Sequence, residues 1–131
     1  MNPTVRTLQH LRNNGWIAAP VERFIAVKQI RIDLFGFGDV VAAHAKNKRI
    51  LIVQCTSLSN LSSRVAKVRS KPEAAAWLAA NGEIQCWGWA LREGHWQAKI
   101  VEIHGDDMQA EVVQAIPRKR RKPRYEQGVL F

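Results

Sequence analysis

Two apolar runs joined by three polar residues constrain the fold of this chain more than any other feature. Gly36-Phe37-Gly38 leads into Asp39-Val40-Val41-Ala42-Ala43, Lys46-Asn47-Lys48 makes a basic turn, and Ile50-Leu51-Ile52-Val53-Gln54-Cys55-Thr56 follows. Residues 39–45 and 49–56 read as adjacent strands, the second so apolar that it belongs at the centre of a sheet. Such a hairpin brings Asp39 and Gln54 together although they are distant in sequence. Two oxygen donors fixed on rigid strands beside a basic helix are what metal-assisted cleavage of a phosphodiester requires.

The rest of the chain supplies elements to pack on that hairpin. Val5, Leu8 and Leu11 recur at helical spacing, and Asn13-Asn14-Gly15 stops a first helix over 4–14. Residues 16–27 read as one strand entered irregularly around Pro20, and 28–38 as a connection that still carries apolar residues. Ser57 to Asn60 offer helix N-caps. The helix they open runs to about Arg69, with Leu61, Val65 and Val68 on its apolar face and Arg64, Lys67 and Lys71 as a basic row. After Pro72, an alanine-rich helix ends at Asn81-Gly82. Residues 83–91 and 96–103 alternate as a second strand pair, and 108–116 form a last short element. The expectation is an α/β domain over 1–116, with a central mixed sheet of four to five strands flanked by helices.

Charge and cysteine usage narrow the function classes. The 131 residues carry a formal charge of +9, and 47% are apolar, enough for a real core. Arg118, Lys119, Arg120, Arg121, Lys122 and Arg124 concentrate charge in a proline-containing tail, 117–131, that reads as disordered. An excess of this size points to a polyanion, nucleic acid first. No run is long and apolar enough for a membrane span, and no signal-peptide core opens the chain. Cys55 and Cys86 sit in apolar strands and read as buried free thiols of a reducing compartment. Trp87 and Trp89, with Trp96 on the partner strand, read as cross-strand packing, or alternatively as a platform for unpaired bases.

Several stretches together resemble the PD-(D/E)XK nuclease superfamily, the restriction-endonuclease-like fold that includes archaeal Holliday junction resolvases. They are Arg31-Ile32-Asp33-Leu34-Phe35-Gly36-Phe37-Gly38-Asp39, Val53-Gln54-Cys55-Thr56-Ser57, Arg64-Val65-Ala66-Lys67, and the Trp77-Leu78, Gly82, Gly88-Trp89 pattern. The likeness is greatest to small phage and bacterial members. It implies a Mg2+ (or Mn2+) centre held by Glu22, Asp39, Gln54 and the backbone carbonyl of Cys55. It also implies a lysine that assists the attacking water. The chain departs from the pattern twice: Gln54 is a neutral donor, and Thr56 stands where the lysine is expected. Lys67 on the following helix is the candidate replacement, with Arg64 gripping a phosphate and Lys71 extending the DNA-binding row. Asp33 competes with Asp39, but reads rather as a partner of Arg31 or the cap of a local turn. The resemblance implies a cytoplasmic endonuclease of a bacterium, or of a phage in a bacterial host. It would act on branched DNA in recombination, repair or replication, with paired cuts made by a homodimer.

The chain closes on Gln127-Gly128-Val129-Leu130-Phe131. This resembles the short peptide by which bacterial replication and repair proteins dock on the sliding clamp, with Gln127, Leu130 and Phe131 matching and Gly128 replacing the usual leucine. The alternatives to a nuclease are a nuclease-fold accessory protein that binds DNA or the clamp without cutting, and a nucleoid-like binder working through charge alone.

Overall fold

A computed structural model describes residues 2–109. The described residues form an α/β domain with three α-helices and a five-stranded mixed sheet. Helix α1, Pro3–Asn13, starts where Asn2 accepts the Val5 N–H at 2.9 Å and Pro3 supplies a preset φ. Strands β1 (Ile17–Pro20), β4 (Val40–His44), β5 (Arg49–Ser57), β6 (Glu83–Arg92) and β7 (His95–Ile103) lie side by side in the order β1-β4-β5-β6-β7. Only the β5–β6 pair is parallel. Its crossover holds a 3-10 turn at Leu58–Asn60, helix α2 (Leu61–Arg69) and helix α3 (Pro72–Ala79). Two short strands, β2 (Arg23–Ile25) and β3 (Ile30–Ile32), pair only with each other as a separate ribbon.

Alternation along β5 sorts the core into two layers. Leu51, Val53 and Cys55 pack with Leu8, Leu11, Val40, Trp87 and Trp89 under α1. Ile52 packs with Phe37, Leu61, Val65, Val68 and Ile84 under α2 and α3. Residues 51–56 are all buried, as a strand paired on both sides and covered on both faces must be. The strand's alternation leaves Gln54 and Thr56 on the α2 face, and the same rule on β4 puts Asp39 there with Val41.

Some expectations are corrected. Residues 16–27 are not one strand: β1 ends at Pro20, which lacks the N–H to continue a ladder, and the chain then leaves the sheet. The first part of the 28–38 connection turns back as β3. The 108–116 element is not seen at Met108 and Gln109, and its remainder lies outside the described residues, as do the 117–131 tail and the terminal peptide. Asn60 occupies the N-cap of α2 but makes no side-chain cap bond. Helix α2 stops at Arg69, so Lys71 sits beyond it, at the N-cap of α3.

Cys55 and Cys86 are buried free thiols. Trp87 and Trp89 are packing residues, not a platform: both are buried beneath α1, and the Trp89 indole N–H donates to Thr7 Oγ1 at 2.9 Å. Trp96 is half-exposed, with the Arg6 guanidinium 3.5 Å above its ring. Among the described residues no helix is long and apolar enough to cross a membrane.

Candidate metal centre

The site forms where the ribbon joins the sheet. Val21 N–H donates to the Asp39 carbonyl at 2.9 Å, which fixes Glu22 at the foot of β2. Asp33 leaves the other foot, after β3. A tight turn follows, in which Gly38 N–H donates to Leu34 O at 2.8 Å and Leu34 N–H to Gly38 O at 2.9 Å. Phe35 and Gly36 take positive φ of 55° and 80° to close it. Gly38 has no room for a side chain, since a Cβ there would lie 2.7 Å from Ile52 Cγ2. The backbone therefore runs directly over the core, and Asp39 is delivered to the start of β4 with its N–H on Val53 O at 2.9 Å.

Asp39 is only 5% exposed. Its Oδ2 accepts from Gln54 Nε2 at 2.6 Å and from the Cys55 N–H at 2.8 Å. One oxygen each from Glu22, Asp33 and Asp39 lies within 4.8 Å of the other two. The Asp39 pKa is raised from 3.8 to about 7, by burial first and then by the Asp33 and Glu22 carboxylates, against the Cys55 N–H, which lowers it. Two cations hold the outer carboxylates. Arg31 Nη1 pairs with Glu22 at 2.9 Å, and Lys67 Nζ approaches Asp33 at 3.5 Å.

Gln54 is fully buried, and its Oε1 has no hydrogen-bond partner among the described residues. An orphaned buried oxygen is costly. Rotating the amide by half a turn would bring that oxygen to Asp39 Oδ2, an arrangement stable only with a proton or cation between the two. Magnesium takes oxygen ligands at about 2.1 Å, which sets neighbouring donors roughly 3 Å and opposite donors roughly 4.2 Å apart. The three carboxylates need draw in only slightly to meet that, and Gln54 adds a neutral oxygen. The donor set fits a hard divalent cation.

The structure thus gathers Glu22, Asp39, Gln54 and Lys67 in one place. Cys55 gives the site its N–H, while its side chain lies on the α1 side, where burial raises the thiol to about 12. Arg64 stands one turn before Lys67 on α2 and forms no ion pair among the described residues. Lys71 lies against the turn, with its Nζ 3.2 Å from where a Gly36 Cβ would be.

Asp33 is the residue the sequence reading misplaced. Arg31 is engaged by Glu22, not by Asp33, and Asp33 completes the cluster. The signal that could have found it is the run Phe35-Gly36-Phe37-Gly38, whose two glycines fold the chain back and set two aspartates six residues apart side by side. Compared with protein-family models, with curated proteins and with solved structures, the chain matches none.

Proposed function

We propose that this protein is a divalent-metal-dependent DNA endonuclease of the restriction-endonuclease-like kind. The observation that carries the reading is the buried Asp39, bonded to Gln54, within 4.8 Å of Glu22 and Asp33, with Lys67 on Asp33. The strand order supports it. Asp39 immediately precedes β4, the second strand of the sheet in chain order, and Gln54 lies on β5, the third. These are the two strands on which the resemblance expects an aspartate and a Glu or Gln.

Glu22, Asp33, Asp39 and Gln54 would hold Mg2+ or Mn2+. The metal would lower the pKa of a bound water and offset charge on the phosphate. Lys67 keeps an ammonium beside the cluster, held by Asp33, where it orients a water or a phosphate oxygen. Arg64, one turn earlier, and Lys71, across the glycine turn, extend the cationic surface along the strand being cut. Thr56 cannot carry a charge on the α2 face, so this work falls to Lys67.

The test is incubation of purified protein with branched and linear DNA, with and without Mg2+ or Mn2+. Metal-dependent cutting by the wild type that Asp39→Ala abolishes is expected. No cutting by the wild type, or full cutting by the variant, refutes the proposal.

A second reading, a nuclease-fold protein that binds DNA without cutting, is favoured by one observation: Asp39 Oδ2 already accepts from both the Gln54 amide and the Cys55 N–H. Titration calorimetry with Mg2+ or Mn2+ separates the two, since a protein that only binds DNA need take up no metal at Asp39. We also propose that the basic tail, with Arg118 to Lys122, adds DNA affinity and that Gln127, Leu130 and Phe131 dock on a sliding clamp.

A further inference from the structure

We infer that the β2–β3 ribbon is an apolar wedge that inserts into DNA beside the site. This rests on the DNA reading above and adds a contact surface to it. The ribbon is unusual for what it leaves in water. Phe24 is 59% exposed, Val27 at the tip 96%, Ile30 45% and Ile32 39%. Neither strand pairs with the large sheet, so the backbone outside the ribbon's own pairing is also open. A cluster of large apolar side chains on both faces of an isolated ribbon has no packing role among the described residues.

Charge decides what covers it. Residues 23–32 read Arg-Phe-Ile-Ala-Val-Lys-Gln-Ile-Arg-Ile, with three cations and no anion. Arg31 is engaged with Glu22 at the foot, and Arg23 and Lys28 make no ion pair among the described residues. A second copy of the ribbon would bring like charges together. A polyanion with apolar interior steps is matched: the cations take phosphates while Val27 and its neighbours enter between unstacked bases.

Position points the same way. The feet of the ribbon are Glu22 and Asp33, two of the three carboxylates. From the feet to the turn at 26–29 is three residues of extended chain on each side, roughly 10 Å. A phosphate at the acid cluster therefore leaves the tip about a groove-width away on the same DNA. Bases at a branch or nick are already partly unstacked, so the wedge costs least there. The ribbon would give the protein its preference for such structures without reading a sequence.

The experiment uses the full-length chain in EDTA, with a synthetic four-way junction carrying 2-aminopurine at the branch and a linear duplex of equal length. The double variant Val27→Ser/Ile30→Ser alters exposed side chains only, and its melting temperature is checked against wild type. Wild type is expected to bind the junction more tightly than the duplex and to raise the 2-aminopurine fluorescence. The variant is expected to lose about tenfold in junction affinity, in line with the loss of one or two partly buried aliphatic side chains, to keep its duplex affinity, and to leave the fluorescence unchanged. Equal junction binding by both proteins overturns the wedge. So does an unresponsive fluorophore with wild type, or a wild-type dimer that the variant converts to monomer. Cleavage in Mg2+ is read separately. Binding and unstacking without cutting defeats the nuclease reading and leaves the wedge, while cutting by a variant indistinguishable from wild type does the reverse.

Discussion

Raising the pH should weaken the metal-free protein, and Asp39→Asn should remove most of that loss. A carboxyl whose folded-state pKa lies above its unfolded value keeps a proton in the native state that the unfolded chain has released. Its contribution to stability is unchanged below the unfolded pKa, declines as the pH climbs between the two values, and levels off above the folded one. For Asp39 those values are 3.8 and about 7, with burial the main cause. At about 1.4 kcal/mol per pH unit, the gap comes to about 4 kcal/mol in full. Screening does not discount it much, because the side chain is 5% exposed. Asparagine cannot ionise, and it keeps one oxygen for the Gln54 and Cys55 donors.

Urea unfolding in EDTA from about pH 5 to about pH 8 reads the difference. The advantage of Asp39→Asn over wild type should grow by about 3 kcal/mol across that range. Titrating groups away from the carboxylate cluster cancel in the subtraction. Glu83, whose pKa is lowered by its Arg49 hydrogen bonds, acts in the opposite sense, losing its contribution as the pH falls, and it is common to both proteins. Added Mg2+ at the upper end should restore wild type and not the variant. Parallel stability curves for the two proteins would refute the reasoning.

Two further substitutions probe the same region. Gln54→Glu places a second carboxyl beside Asp39 Oδ2, now 2.6 Å from the amide; the metal-free variant should lose about 1–3 kcal/mol. Its melting temperature should then rise more with Mg2+ than wild type does, and an equal rise counts against a cation at this position. Gly38→Ala drives a methyl to 2.7 Å from the fully buried Ile52 and should cost about 1–3 kcal/mol in thermal unfolding. Gly105→Ala, with nothing within 4 Å of its Cβ, serves as the control and should stay within about 0.5 kcal/mol; comparable losses for both would remove the close-approach argument.

The parts legible in the sequence are those governed by one strong pattern. β4 and β5 announce themselves by apolar runs across a basic turn, and Gln54 stands out because an amide in such a run needs a partner, which Asp39 supplies. Trp87, Trp89 and both cysteines were readable as core for the same reason. The ribbon was not. Arg23-Phe24-Ile25 and Ile30-Arg31-Ile32 are three residues each and exposed at every position but Ile25, so neither alternation nor helical spacing marks them. Asp33 reads from the sequence as a competitor to Asp39 and not as its companion, because its neighbours depend on where the ribbon turns back. Lys67 could be proposed from a basic helical face, but its ion pair with Asp33 depends on how α2 lies against the turn, which no local pattern encodes.

That the three carboxylates belong to elements of unequal support has a mechanical consequence. Asp39 is rooted in a sheet, whereas Glu22 and Asp33 hang on a hairpin with no other strand beside it. Like charges at the joint push the two apart, and only the Arg31 and Lys67 pairs draw them back. The amides of Val21 and Leu34 tie the feet of the hairpin to Asp39 and Gly38, just ahead of β4; their hydrogen exchange should be fast when the hairpin swings and should slow when positive charge bridges the carboxylates.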